Sequence, residues 1–144
     1  MKILITVGCW LLAVSLFAQS SGQLTVTINN IKLVEGELYI AIYDDEDTYM
    51  DIDRTAFREI IPVSAETESI IFTNVPDGEY AIAVFQDLNG NGELDKKGMG
   101  LPKEPFGFSN DARGKYGPPK YKKAKFSLSG SMEISIKLVS NAKE

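Results

Sequence analysis

Apolar and polar residues alternate with period two over most of this chain, and a chain so patterned is restricted to half-buried β-strands. In Leu24-Thr25-Val26-Thr27-Ile28 every second residue is apolar, and Leu38-Tyr39-Ile40-Ala41-Ile42 repeats the pattern. Arg58 to Ser64 and Thr67 to Thr73 read as two more strands. Tyr80 to Phe85 is more continuously apolar, as a central strand would be. Lys122 to Leu128 and Met132 to Leu138 complete the set, the last with the cleanest alternation. Turn signals separate them: Glu35-Gly36, Pro76-Asp77-Gly78, Asn89-Gly90-Asn91-Gly92 and Ser129-Gly130. No segment has a long helical period, although one helical turn fits around Thr55–Phe57. The expectation is an all-β fold, an antiparallel β-sandwich of about seven strands, immunoglobulin-like; Greek-key connectivity suits such a sandwich but is not readable from the pattern. One stretch, Gly98 to Pro119, has no period and reads as a long irregular loop, which in a compact domain needs a reason.

The first residues obey a different rule. Lys2 is followed by an uncharged run from Ile3 to Ala18, ending Leu16-Phe17-Ala18-Gln19. A charged start, an apolar middle and a small-residue exit predict a cleavable signal peptide over residues 1–18. The alternative, a retained membrane anchor, is short of the ~20 apolar residues that a spanning helix needs. Cys9 is the sequence's one cysteine and falls within this run, so a cleaved product, residues 19–144, would hold no disulfide and no membrane span. It reads as one exported domain, destined for the periplasm, the outer surface or secretion.

Net charge and residue choice narrow the chemistry. The chain carries 15 Lys and Arg against 20 Asp and Glu, a net charge of −5, and no histidine. An acidic balance argues against nucleic acid and anionic lipid as partners. The lack of histidine excludes Ser-His-Asp and Cys-His catalysis and His-ligated zinc.

The strongest chemical signal is Asp87-Leu88-Asn89-Gly90-Asn91-Gly92-Glu93-Leu94-Asp95, which follows the D-x-[DN]-x-[DN]-G pattern of calcium loops. Calcium takes six to eight oxygens. Oxygens from Asp87, Asn89 and Asn91 can converge if the chain curls at Gly92, the Glu93 carbonyl and Asp95 then adding to them. Place twelve is Gly98 and not the bidentate Glu, and the loop follows a strand, so this is no EF-hand. The remaining ligands would come from Glu104, Asp111, the acidic run Asp44 to Asp53, or water. With two carboxylates in the motif, calcium should bind weakly, with Kd on the order of 10⁻⁴–10⁻³ M. The competing reading is a metal-free turn, because Asn-Gly pairs form tight turns unaided. The acidic run itself, with Asp44, Asp45, Glu46, Asp47, Asp51 and Asp53, reads first as a solvated loop.

Glu104, Phe106, Phe108, Asn110, Arg113 and Tyr116 stand in the Gly/Pro-rich stretch. They suit a ligand surface in which rings stack on a sugar or peptide and polar groups orient it. They equally suit a loop that folds back and covers a sandwich edge.

The run Val75-Pro76-Asp77-Gly78-Glu79-Tyr80 through Asp87, then Asn89-Gly90-Asn91-Gly92, Leu94-Asp95, and Gly100-Leu101-Pro102-Lys103-Glu104-Pro105-Phe106-Gly107-Phe108-Ser109-Asn110, resembles the bacterial domain of unknown function numbered 2141. The likeness spans about Leu24 to Leu138. It implies a small exported β-sandwich protein and names no activity; the Pro76-Asp77-Gly78-Glu79-Tyr80 turn entering a strand also resembles transthyretin-like and carboxypeptidase regulatory-like modules. Members often carry His just before the first Asp of the loop; here it is Gln86. The expected role is therefore a non-catalytic exported module, calcium-stabilised, binding an unnamed envelope or extracellular ligand. The alternatives are a structural protein docking on another envelope component and a hydrolase built on carboxylates such as Glu104 with Asp111 or Asp87.

Overall fold

A computed structural model describes residues 20–140, so the signal-peptide expectation for residues 1–18 lies outside the described residues. The fold is all-β. Strands β1 (Ser21–Asn29), β4 (Glu68–Pro76) and β10 (Met132–Lys137) form one sheet in the order β10-β1-β4. Strands β2 (Glu37–Tyr43), β3 (Phe57–Pro62), β5 (Gly78–Asp87) and β8 (Phe106–Phe108) form the other, ordered β3-β2-β5-β8, with β9 (Phe126–Leu128) paired to the start of β5. A small hairpin, β6 (Lys96–Lys97) and β7 (Leu101–Pro102), projects between β5 and β8 in the chain.

The alternation does what period two requires. Leu24, Val26 and Ile28 of β1 turn inward to meet Leu38, Ile40 and Ile42 of β2 and Tyr80, Ile82 and Val84 of β5, and the main core forms between the two sheets. A second core lies on the outer face of the second sheet. Ala41, Tyr43 and Ala81 supply its floor, and Phe108, Ala112, Tyr121 and Ala124 its cover. The floor residues Ala41 and Ala81 are small, which lets rings approach the backbone closely. Tyr49 stands edge-on to both Tyr43 and Tyr121, with ring centroids 5.4 and 5.6 Å apart. Strand β5 is thus covered on both faces, which explains its continuous apolar run.

Four expectations need correction. About ten strands are present among the described residues, not seven. The two-sheet frame is not wholly antiparallel: β1 runs parallel to β10, Leu24 opposite Met132 and Ile28 opposite Ile136. The stretch Lys122–Leu128 is strand only from Phe126. Before it, Tyr121–Ala124 makes one turn of helix (α1), because spacing i, i+3 sends Tyr121 and Ala124 together into the second core while Lys122 and Lys123 stay in water. The helical turn placed near Thr55–Phe57 falls at Ile52–Arg54, where the Asp51 carboxylate accepts from the Asp53 N–H, and Phe57 already opens β3.

The long segment 98–119 is less irregular than its composition suggests. Phe106–Phe108 pairs antiparallel with Ala83–Phe85 and covers that edge of β5. Its far side meets the chain leaving β10, where Phe106 and Val139 exchange backbone hydrogen bonds of 2.9 and 2.8 Å. Gly107 is required there, since a Cβ on it would stand 2.8 Å from Ile136 Cγ2.

Candidate functional site

Strand β5 delivers Asp87 to the site. Its inward-facing series Tyr80, Ile82, Val84 ends in Gln86, so Asp87 projects from the opposite face at the strand's last position. Asp87 is 0 % exposed. Burial of a carboxylate is costly unless it is hydrogen-bonded, and here one oxygen accepts from Gly90 N–H at 2.8 Å and the other from Gly92 N–H at 2.7 Å. Both glycines have positive φ, 75° and 76°, so the loop curls back on the carboxylate without strain. Asn89 and Asn91 each accept from the backbone N–H two residues on, at 3.2 and 2.9 Å. Their amide nitrogens both turn to Asp95, Asn89 to Oδ2 at 2.5 Å and Asn91 to Oδ1 at 3.0 Å. Places three, five and nine of the loop therefore meet at one point.

The second segment that joins them is the one carrying Glu104. This residue is nearly buried, and its two oxygens accept from Leu88 N–H at 2.8 Å and Asp95 N–H at 3.0 Å. Lys103 N–H adds a bond to the Asp95 carbonyl at 2.7 Å. Glu104 thus staples both ends of the loop and fixes the base of the β6–β7 hairpin. Beneath lies Tyr39, stacked on Phe85 at 4.8 Å between centroids. Desolvation, then the nearby charges of Glu37 and Asp87, raise the Tyr39 phenol above its ordinary pKa.

The Glu93 side chain points to solvent, which leaves the backbone carbonyl of this residue to serve the loop. The other residues read from the sequence disperse. The run Asp44–Asp53 lies at the far end of β2, since Glu37 pairs with Asp87 and Tyr43 with Ala81, so it supplies nothing to the loop. Asp111 Oδ1 accepts from Lys137 N–H at 2.9 Å and holds β10. Among the described residues, no three side chains of Asp, Glu, Cys or His come together as a ready metal-binding group.

Of the residues read as a ligand surface, Phe108 is buried in the second core and Phe106 packs against it. Asn110 donates to the carbonyls of Lys123 and Lys125 at 3.3 and 2.8 Å, tying α1 down. Arg113 and Tyr116 remain at the surface, on the wall of a groove of about 530 Å³ with Leu94, Lys96, Met99 and Leu101. Two buried groups were not foreseen. Gln86 is fully buried and its amide nitrogen donates to Leu33 and Glu35 carbonyls at 2.7 and 2.8 Å, while Oε1 has no partner. Tyr49 Oη is likewise buried without a partner, and desolvation raises its pKa. For Gln86 the signal was available: it continues the inward parity of Tyr80, Ile82 and Val84.

Among the described residues, no helix is long and apolar enough to cross a membrane. A family model described as "Uncharacterized protein conserved in bacteria (DUF2141)" matches residues 26–136. No curated protein and no solved structure matches the chain.

Proposed function

The chain belongs to the uncharacterized bacterial family DUF2141, and from that premise we propose that it is an exported, non-catalytic binding module whose long outer segment is held in place by a calcium-responsive staple. The observation that carries this reading is the meeting of Asn89, Asn91 and Asp95 beside the Glu104 clamp. An Asn amide can exchange its ends. With the two amides turned over, Asn89 and Asn91 would offer oxygens where they now offer nitrogens to Asp95, and a hard cation would be the group that makes this favourable. Asp87 retains lone pairs beyond the two it gives to Gly90 and Gly92. Few carboxylates are engaged, so affinity is weak.

A second reading rests on a specific observation: all four oxygens of Asp87 and Glu104 already accept backbone N–H groups. The staple is then complete without metal. Thermal unfolding separates the two. At Kd ~10⁻³ M, about 10 mM calcium stabilises by about 1.4 kcal/mol relative to chelator, raising Tm by roughly 4–6 °C. Magnesium, which dehydrates reluctantly, should do less. An unchanged Tm would remove calcium from the account and leave the metal-free staple. The export reading is checked by intact mass: protein recovered from the producing cell's envelope or medium should lack residues 1–18.

A further inference from the structure

Residues 96–125 carry nine Lys and Arg against two Asp and Glu, while the remainder of the chain carries six against eighteen. The two acids inside this basic segment are both engaged: Glu104 clamps Leu88 and Asp95, and Asp111 accepts from Lys137 N–H. Lys125 is paired with Glu79, and five of the other cations gather in one place. Lys96, Arg113 and Lys115 line the groove, and Lys120 and Lys123 line an adjoining depression around Tyr116.

Two apolar tips rise from this face. The β6–β7 hairpin turns through Gly98-Met99-Gly100, and Met99 is 99 % exposed at φ 66°. The left-handed region is unfavourable for a residue with a Cβ, and no burial of the side chain offsets that cost in the isolated molecule. The second tip, Lys115-Tyr116-Gly117, leaves Tyr116 92 % exposed, with the Lys115 ammonium 5.3 Å from its ring centroid. Leu101, half-exposed, is also on the groove wall.

We propose that this face docks on an anionic lipid surface, with Met99 and Tyr116 entering the headgroup layer and the surrounding Lys and Arg meeting the lipid charge. Tyr is at home at the headgroup level, Met is an adaptable apolar side chain, and each Lys or Arg near an anionic leaflet adds to attraction. An acidic peptide or a nucleic acid would satisfy the lysines but leave Met99 in water. A lipid surface uses both features. The described lining of the groove and of the depression holds no Asp or Glu, although the acidic run Asp44–Asp53 lies close by, with Met50 on the groove wall and Tyr49 against Tyr121.

The test is co-sedimentation of the purified protein, its N-terminus read by intact mass, with vesicles of phosphatidylcholine alone or with about a third phosphatidylglycerol. Chelator is present throughout, so that calcium plays no part. Any apolar N-terminal residues contribute alike to both vesicle types. Binding should be roughly tenfold tighter to the anionic vesicles and should fade at high salt. Met99→Asp with Tyr116→Asp should lower it by a further order of magnitude or so at unchanged melting temperature, whereas Met99→Leu should keep it. Charge reversal in Lys96→Glu with Lys115→Glu should abolish the preference for anionic vesicles. Equal partition into both vesicle types would overturn the proposal. So would capture by soluble polyglutamate as tight as by vesicles and indifferent to Met99→Asp, which would mark a docking face for acidic polymers instead.

Discussion

The two acidic loops sit at opposite ends of β2 and are built in opposite ways. The loop Asp87–Asp95 turns two of its three acids inward and leaves Glu93 in solvent: Asp87 is wholly buried, Asp95 takes both Asn amides, and every oxygen of Asp87 and Glu104 accepts a backbone N–H. The loop Asp44–Asp53 turns its six acids outward and packs a partly buried ring instead, Tyr49, between Tyr43 and Tyr121. Its acids serve local turns, as when Asp45 accepts from Asp47 N–H and Asp51 from Asp53 N–H. The denser cluster of charge is thus attached by an aromatic, and the sparser one is attached by its charge. Acid count says little about where a site is; glycine spacing and a distant carboxylate partner say more.

The largest expected effect comes from breaking the inward loop. Asp87→Ala leaves the Gly90 and Gly92 N–H groups without their acceptor in a buried place, and should cost roughly 3 kcal/mol in urea unfolding. Asp87→Asn keeps one acceptor and should recover about half of that. In the outward loop the corresponding loss should come from the ring and not from an acid. Tyr49→Ala should cost roughly 2 kcal/mol by removing its contacts with Tyr43 and Tyr121, while Tyr49→Phe, which deletes an unpartnered buried hydroxyl, should be neutral or slightly stabilising. If Tyr49→Phe were as harmful as Tyr49→Ala, the loop would be held by a hydrogen bond and the comparison would fail.

A smaller effect tests carboxylate capping elsewhere. Glu68 accepts from Ser64 N–H, Ser64 Oγ and Ala65 N–H. Burial, the largest single influence, pushes its pKa up, but the three hydrogen bonds together outweigh it and the net shift is downward from 4.5. A folded-state pKa below the unfolded one stabilises the protein above that unfolded value, and the contribution is lost as pH falls below about 4.5. Glu68→Gln should therefore flatten the stability profile below that pH and leave its shape near neutrality unchanged. The smallest effects belong to the exposed acids. Asp44→Asn, Glu46→Gln and Asp53→Asn should each fall within about 0.5 kcal/mol of the parent.

Much of the frame was legible because period two fixes which side of a strand faces inward. Leu24, Val26 and Ile28, or Leu38, Ile40 and Ile42, can face only one core. The second core was not legible. Its floor is alanine, and Ala41 and Ala81 look like ordinary strand residues until the rings that cover them are known. Tyr49 was masked by the acids around it, and Tyr121 by the lysines that follow. Parallel pairing of β1 with β10 joins opposite ends of the chain, which no local pattern encodes. At the site, glycine spacing marked the curl around Asp87. Glu104 stood among several candidate partners, because fixing it requires β8 to be in place beside β5. The face around Met99 and Tyr116 was readable in outline from the unequal spread of charge, but the exposure of its tips belongs to the folded molecule.

Calcium titration followed by the amide resonances of both loops tests the central contrast most directly. Gly90, Gly92, Glu93 and Asp95 should shift and saturate in the millimolar range, as the Asn amides turn and Asp95 changes partners, while Asp45, Asp47 and Asp53 stay put. Parallel, unsaturated drift in the two loops, or stillness in both, would mean that the curl at the end of β5 is a tight turn and nothing more.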